Sequence, residues 1–404
     1  MNESELKPYS AALYIHIPYC VKKCDYCDFY SCCDLSSSES LLSQIPIQIA
    51  ELSKSYSING FTSVYLGGGT PALVNAVYLK TLLHEIYSFN GGILPDEVTM
   101  ECNPRNVNPG NLAIWADAGI NRISLGVQSF QDIFLEKAGR RSSRKTILDA
   151  LEMLKVHRDC FDLNIDLIQG LPGMTENNQL SDLEEAVKWQ PDHISWYSLL
   201  MEPGTVLSKN WSSRNQNTEV DNDEVWLSGC RFLEQKGYSR YEISNFSLSG
   251  KESVHNSSYW KMYPYLGCGP AAVSMLRGTD GAIKRFRTRA DAESYSRGQI
   301  GYDEVEVLKA SDFLKDYLLM GLRITQGIDL QRFTDVFGVE ITEILPKSLK
   351  RWSEQHCLTI DETSLKCTEQ GLDLQNSILI SFFEEIDAGY QGGTLNWPPE
   401  GAVE

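Results

Sequence analysis

Six apolar runs alternate with amphipathic stretches through the first half of the chain, and this alternation limits the possible folds more than any other feature. Strand-like runs cover 11–18, 61–68, 96–103, 120–128, 162–169 and 193–200. Helical periodicity marks the stretches 39–56, 74–89, 144–157 and 177–189 between them. Strands joined through helices pair in parallel, with the helices covering the sheet. The prediction is an α/β fold, a partial (β/α)6 barrel of the TIM type. Its functional face would be the rim formed by the C-terminal strand ends. With 42% hydrophobic residues in a 404-residue chain, a large core is available.

Unusual residues gather at those predicted ends. The first run leads into Cys20, Cys24 and Cys27, spaced C-x3-C-x2-C. The second ends in Gly67-Gly68-Gly69-Thr70-Pro71, the third in Glu101-Cys102-Asn103-Pro104 and the fourth in Gly126-Val127-Gln128-Ser129. The fifth carries Asp166 and closes on Gly170-Leu171-Pro172-Gly173. Three close thiolates can hold three irons of a [4Fe–4S] cube, which leaves one iron open to a small molecule. Zinc normally takes a fourth ligand from a second CxxC or a histidine pair, and neither follows at that spacing. Consecutive glycines let backbone N–H groups approach a ligand, and the guanidinium of Arg140 can grip a carboxylate with two bonds.

The cysteine spacing resembles the signature of radical S-adenosylmethionine (SAM) proteins. In that superfamily the open iron takes the amino and carboxylate groups of the methionine moiety, and a run such as 67–71 contacts its amino group. Further motifs narrow the resemblance. Tyr14-Ile-His-Ile-Pro, Cys27-Asp28-Phe29, the stretch from Asn121 to Phe130, the stretch from Asp166 to Gly173, and Tyr241-Glu-Ile-Ser-Asn-Phe246 are similar to the HemN/HemW family. The similarity runs from residue 11 to about 385. By position it implies a [4Fe–4S] cluster on Cys20, Cys24 and Cys27. It also implies SAM among Tyr14, Tyr26, Gly68, Gly69, Thr70, Glu101, Gln128, Arg140 and Asp166.

That family contains an oxygen-independent coproporphyrinogen III dehydrogenase and a heme chaperone. Three features resemble the chaperone branch. Phe29 stands where the dehydrogenases have a further cysteine, and only 13 residues precede Tyr14, fewer than in that branch. The stretch His255-Asn-Ser-Ser-Tyr259-Trp260 fits the chaperone motif H-N-x-x-Y-W. Imidazole is the common proximal ligand of heme iron, so His255 beside two aromatic side chains is expected to ligate heme. Histidines common elsewhere in that branch are replaced here by Arg141-Ser142 and Val273, which leaves His255 as the remaining candidate. The implied function is a heme chaperone that binds cluster, SAM and heme and passes heme to an acceptor protein. The alternative is a coproporphyrinogen III dehydrogenase, which would convert two propionates to vinyl groups through a 5′-deoxyadenosyl radical. A third reading is a different radical SAM enzyme, such as an RNA modifier or a heme-degrading methyltransferase.

Composition narrows the partners. A net charge of −18 repels phosphate backbones, so nucleic acid is not expected. The expected partners are a tetrapyrrole and an acceptor protein or electron donor, with a dimer and peripheral membrane association left open. Eleven cysteines form no paired framework, the chain opens Met-Asn-Glu-Ser-Glu without a leader pattern, and no apolar run nears the ~20 residues of a membrane span. A reducing cytoplasm is the expected compartment. The predicted organisation is an N-terminal tail over 1–10, a barrel core over 11–245, a connecting segment with the H-N-x-x-Y-W motif over 246–290, a helical, winged-helix-like domain over 291–385, and a flexible tail over 386–404. The polar stretch 208–222 reads as a surface loop, and 357–367 as a hairpin.

Overall fold

The computed structural model describes residues 8–211 and 222–389, together with Leu395 and Trp397. Six parallel strands form its centre: β1 (Tyr9–Ile17), β2 (Ile58–Gly68), β3 (Glu97–Cys102), β4 (Arg122–Gln128), β5 (Asp162–Gln169) and β6 (His193–Ser198). Each pairs in parallel with the next in sequence. Helices α1 (Ser38–Tyr56), α2 (Ala76–Phe89), α3 (Pro109–Asp117), α4 (Asp132–Lys137), α5 (Arg144–Val156) and α6 (Glu176–Lys188) occupy the crossovers. Local chemistry sets several of their starts. The Ser143 side chain accepts from the Thr146 N–H, and Thr175 forms a reciprocal capping box with Asn178.

The two faces of this sheet differ because successive side chains alternate. One face carries Val64, Leu66, Val98, Met100, Ile123, Leu125, Leu163, Ile165, Ile194 and Trp196, all buried in the core shared with the helices. Each fully buried aliphatic side chain there contributes roughly 1.5–3 kcal/mol. The other face is polar: Ser63 and Tyr65 on β2, Glu97, Thr99 and Glu101 on β3, Arg122 and Ser124 on β4, Asn164 and Asp166 on β5, and His193 and Ser195 on β6. This is the concave interior of the partial barrel.

After β6 come α7 (Val206–Trp211), α8 (Asn222–Gln235), β7 (Ser239–Arg240), β8 (Asn245–Ser247) and α9 (Val254–Trp260). Residues 208–211 are thus helical rather than loop, and 212–221 lie outside the described residues. The segment expected only to connect, 246–290, instead extends the sheet. It supplies β8, which pairs antiparallel with β6, and then β9 (Tyr265–Cys268), β10 (Val273–Arg277) and β11 (Ile283–Thr288). β9 pairs in parallel with β1, and β12 (Tyr302–Val307), within a stretch read as helical, closes that edge. Among the described residues the sheet runs to twelve strands.

The C-terminal part packs helices Ala310–Gly321, Leu330–Phe337, Pro346–Glu354 and Gln375–Asp387 around a separate core that includes Phe313, Phe333 and Phe382. An antiparallel hairpin, Leu358–Ile360 with Ser364–Cys367, supplies the wing. The helix over Gln375–Asp387 continues into the expected tail, and Leu395 and Trp397 pack on this core, with the Trp397 ring 5.5 Å from that of Phe313. Residues 1–7 and the rest of the tail lie outside the described residues. Among the described residues no helix is long and apolar enough to cross a membrane.

Candidate functional site at the barrel rim

The site is assembled where β1 and β2 end. The Gly69 N–H donates to the Ile17 carbonyl at 2.9 Å, and the Thr70 N–H to the Tyr19 carbonyl at 2.8 Å, so the glycine run lies along the exit of β1. Gly69 is obligatory there, since a Cβ would sit 2.6 Å from the Tyr19 carbonyl oxygen. Gly68 has φ +108° and abuts the His16 ring, which allows glycine alone. The cysteine loop is clamped from two further sides. The Asp25 N–H donates to the Ala138 carbonyl at 3.0 Å, and the Leu207 N–H of α7 to the Asp25 carbonyl at 2.7 Å.

Around this loop the remaining candidates fall into one connected set. Glu101 accepts from the Tyr65 hydroxyl at 3.0 Å and from the Gly68 N–H at 3.1 Å. Burial, reinforced by Asp166, pushes its carboxyl up to about 7. A Cβ on Gly67 would meet both Glu101 and Tyr14 at 3.0 Å, so the missing side chain leaves a small cradle between them. The Tyr14 hydroxyl is 3.0 Å from His16 Nδ1. Arg140 donates to the Gly126 carbonyl at 2.5 Å and to Cys24 Sγ at 3.5 Å. Its Nε is buried and unpartnered. Gln128 has φ +69°, a left-handed conformation that costs a non-glycine residue about 1–3 kcal/mol and brings its amide near Gly126. Asp166 accepts from Ser124 Oγ at 2.9 Å and Asn164 Nδ2 at 2.7 Å, and burial raises its carboxyl. Tyr26 packs against Phe134, Ala138, Ile168, Leu171 and Met174 beneath the mouth.

The three loop thiols are free of disulfides. Burial pushes Cys27 up to about 11 and also raises Cys20, and the neighbouring thiols add to both effects. Among the described residues no three His, Cys, Asp or Glu side chains close round a single metal-ion position. A cube spreads its thiolates over three irons, so a wider spacing suits it. Arg140 at Cys24 and Thr70 Oγ1, 3.9 Å from Cys20 Sγ, place positive charge and a hydroxyl beside sulfurs that become anionic on metal binding. The residues present therefore fit an iron–sulfur cluster with an adjoining zwitterionic ligand.

His255 is placed differently from the expectation. It sits on α9, which plugs the floor of the barrel, and is 1% exposed. Its Nδ1 lies 2.9 Å from Ser63 Oγ and its Nε2 2.9 Å from the Tyr259 hydroxyl, while the ring stacks on Tyr65 at 5.0 Å. Burial drops its imidazole to about 3, so it stays neutral. Both ring nitrogens are hydrogen-bonded, and in this geometry the H-N-x-x-Y-W stretch builds the floor.

The motifs alone did not reveal the supports of the site. His16 bridges Tyr14 to the Tyr30 carbonyl at 2.9 Å. Buried Asp182 accepts from the Phe130 N–H and from Gln131 Nε2, both at 3.0 Å, and so fixes the loop beyond Gln128. A usable signal was the polar alternation Glu97-x-Thr99-x-Glu101, Arg122-x-Ser124 and Asn164-x-Asp166, which marks an inner barrel face.

Comparison with known proteins extends this geometry. The radical SAM superfamily profile matches residues 14–187, and the HemN C-terminal domain profile matches 308–374. A Haemophilus influenzae protein named heme chaperone HemW is 32% identical over 386 residues, covering 93% of this chain and 98% of that protein. The chain belongs to the HemN/HemW family of radical SAM proteins. A bovine family member, the mitochondrial radical S-adenosyl methionine domain-containing protein 1, is 30% identical over 97% of this chain and 91% of its own length. The solved coproporphyrinogen III oxidase HemN of Escherichia coli superposes with a TM-score of 0.76 at 19% identity, covering 94% of this chain and 91% of that one. That likeness bears on the fold. Membership of the radical SAM superfamily implies a [4Fe–4S] cluster and SAM as cofactors.

Proposed function

We propose that this protein is a heme chaperone that holds a [4Fe–4S] cluster and SAM at the barrel rim, binds heme and passes it to an acceptor protein. The observation that carries the reading is the near full-length similarity to proteins named heme chaperone HemW. The rim supports it with a coherent set of partners. Cys20, Cys24 and Cys27 would hold the cluster. Arg140, whose Nε has no partner, would take the carboxylate of SAM, and Glu101 would sit beside its cationic groups. Gly68, Gly69 and Thr70 would line it with backbone, while Tyr14, Tyr26, Gln128 and Asp166 would complete the walls. When bound, the cluster supplies single electrons to SAM. For heme, the mouth offers exposed apolar side chains: Val21 and Phe29 on the cysteine loop, and Leu200 beyond β6. A flat macrocycle lying there needs no histidine from the floor.

The test begins with anaerobic reconstitution of the full chain, followed by heme titration and transfer to a heme-free acceptor protein. A saturable Soret band that moves to the acceptor is the expected result. Incubation with SAM, a strong reductant and coproporphyrinogen III is the counter-test. Accumulation of protoporphyrinogen would replace the chaperone reading with the dehydrogenase one.

A further inference from the structure

Two thiols outside the proposed cluster set lie close to it, Cys32 and Cys33. Beyond the cysteine loop the chain turns back and runs parallel to the exit of β1, with Cys32 opposite Tyr19. Cys32 anchors this pairing through both main-chain groups. Its N–H donates to the Pro18 carbonyl at 2.8 Å, and its carbonyl accepts from the Cys20 N–H at 2.9 Å. The pairing is the single bridge at Cys32, and Cys33 follows it at a bend; carried one step further, its register would bring Cys33 to Cys20. Alternate residues of a paired segment share a face, so Ser31 and Cys33 lie on the side of Cys20, and Cys32 on the other. The surroundings agree. The Cys20 thiol interacts with Cys24, with the Ser31 side chain and with Cys33. Cys32 also lies within electrostatic reach of Cys20, but it packs against the barrel core and its thiol faces the Asp34 carbonyl at 3.9 Å.

Paired strands run about 4.8 Å apart, which lies inside the Cα separation of about 4.4–6.8 Å that a disulfide bridges. Cys33 is exposed and Cys20 partly so, and a small oxidant can reach both. We propose that Cys20 and Cys33 form a disulfide when the chain carries no cluster. Two S–H bonds break and one S–S bond forms. The two electrons and two protons pass to an oxidant of the disulfide class, such as glutathione disulfide, which leaves as two thiols.

Cys20 cannot serve both arrangements, so the disulfide and a cluster on Cys20 exclude one another. Cluster assembly then requires prior reduction by a dithiol. This consequence rests on the proposed ligation by Cys20, whereas the disulfide rests on the backbone pairing alone.

The full chain, freed of metal, would be oxidised with glutathione disulfide, alkylated and digested without reduction by trypsin and chymotrypsin. Cleavage after Lys22, Lys23, Tyr26 and Tyr30 separates Cys20, Cys24 and Cys27 from the Cys32-Cys33 pair. The expected product links the Cys20 peptide to the Cys32-Cys33 peptide. It persists in Cys32→Ser and vanishes in Cys33→Ser. Recovery of Cys20 as the alkylated thiol, a link from Cys20 to Cys24 or Cys27, or a linked peptide surviving in Cys33→Ser would overturn the proposal. Iron per chain after reconstitution without reductant gives the second readout. It is expected to be lost in the oxidised wild type, retained in Cys33→Ser and restored to the wild type by dithiothreitol. A mapped Cys20–Cys33 link with undiminished iron would uphold the disulfide and sink the ligation by Cys20.

Discussion

The rim and the floor of the partial barrel are built from the same kinds of residue, yet they are finished differently. At the floor, Glu97 accepts from Ser253 Oγ at 3.0 Å, the Val254 N–H at 2.9 Å and the His255 N–H at 3.1 Å, with Arg122 at 3.9 Å. His255 has both nitrogens engaged. At the rim, Arg140 keeps an unpartnered buried Nε, Gln128 is held in a strained backbone conformation and three thiols stand together without a disulfide. A buried polar group without a partner costs about 1–3 kcal/mol. At Arg140 such a cost marks where an outside ligand would supply the missing bond. A polar barrel interior is not in itself a binding site, since Glu97 and His255 already find their partners within the fold.

That contrast can be broken by substitution. The largest effect is expected from Cys24→Ala, which should abolish cluster assembly, read as iron per chain and visible absorbance. Retention of a full complement of iron would move the cluster away from the cysteine loop. At the floor, Glu97→Ala strands three donors and a guanidinium, with an expected loss of about 3–5 kcal/mol in chemical denaturation. Iron per folded chain should hold steady in that variant, and a selective loss of iron would show that floor and rim are one unit. Arg140→Ala should weaken SAM binding by about 30-fold in calorimetry, the effect of losing a charge-assisted pair, and unchanged affinity would remove Arg140 from the ligand.

The smallest expected effect is in pH. The Glu101 carboxyl has moved up from 4.5 to about 7, mainly through burial. The folded chain thus holds this proton more tightly than the unfolded one. The associated stability is present below the unfolded value and fades as pH rises through the folded one. A cationic ligand beside Glu101 favours the ionised form, so SAM affinity should rise about tenfold between about pH 6 and pH 8. Glu101→Gln should flatten that rise, and a wild-type profile already flat would separate Glu101 from the ligand's charge.

Much of this could be read from the chain alone, for identifiable reasons. The β1–β6 array was legible because a half-buried strand and an amphipathic helix carry different periods. The rim was legible because strand ends are where an apolar run gives way to glycine, cysteine or a carboxylate, as at Gly67, Cys20 and Glu101. His255 was legible as a motif, but its packing was not. A seven-residue helix, Val254–Trp260, docks its first turn on Glu97, which is 158 residues away from His255 in sequence, and no local pattern reports such a contact. The strands β9 to β12 were missed for a related reason. They are short, and β9 alone pairs with β1, the other three adding outward from it, a choice of sheet edge rather than a property of their own sequence.

What the sequence determined by itself was the set of chemical groups and their local order: three thiols on one loop, a glycine run after a strand, and acids and amides at strand ends. Those features follow from covalent spacing and from the two short-range periods of helix and strand. Only the tertiary structure decided which of these groups are already satisfied. It closed Glu97 and His255 into the floor, left the Arg140 Nε open at the rim, and brought Cys33 within electrostatic reach of Cys20. Hydrogen-bond completion depends on partners brought from distant segments, as at Glu97 and His255, which no local sequence pattern reports.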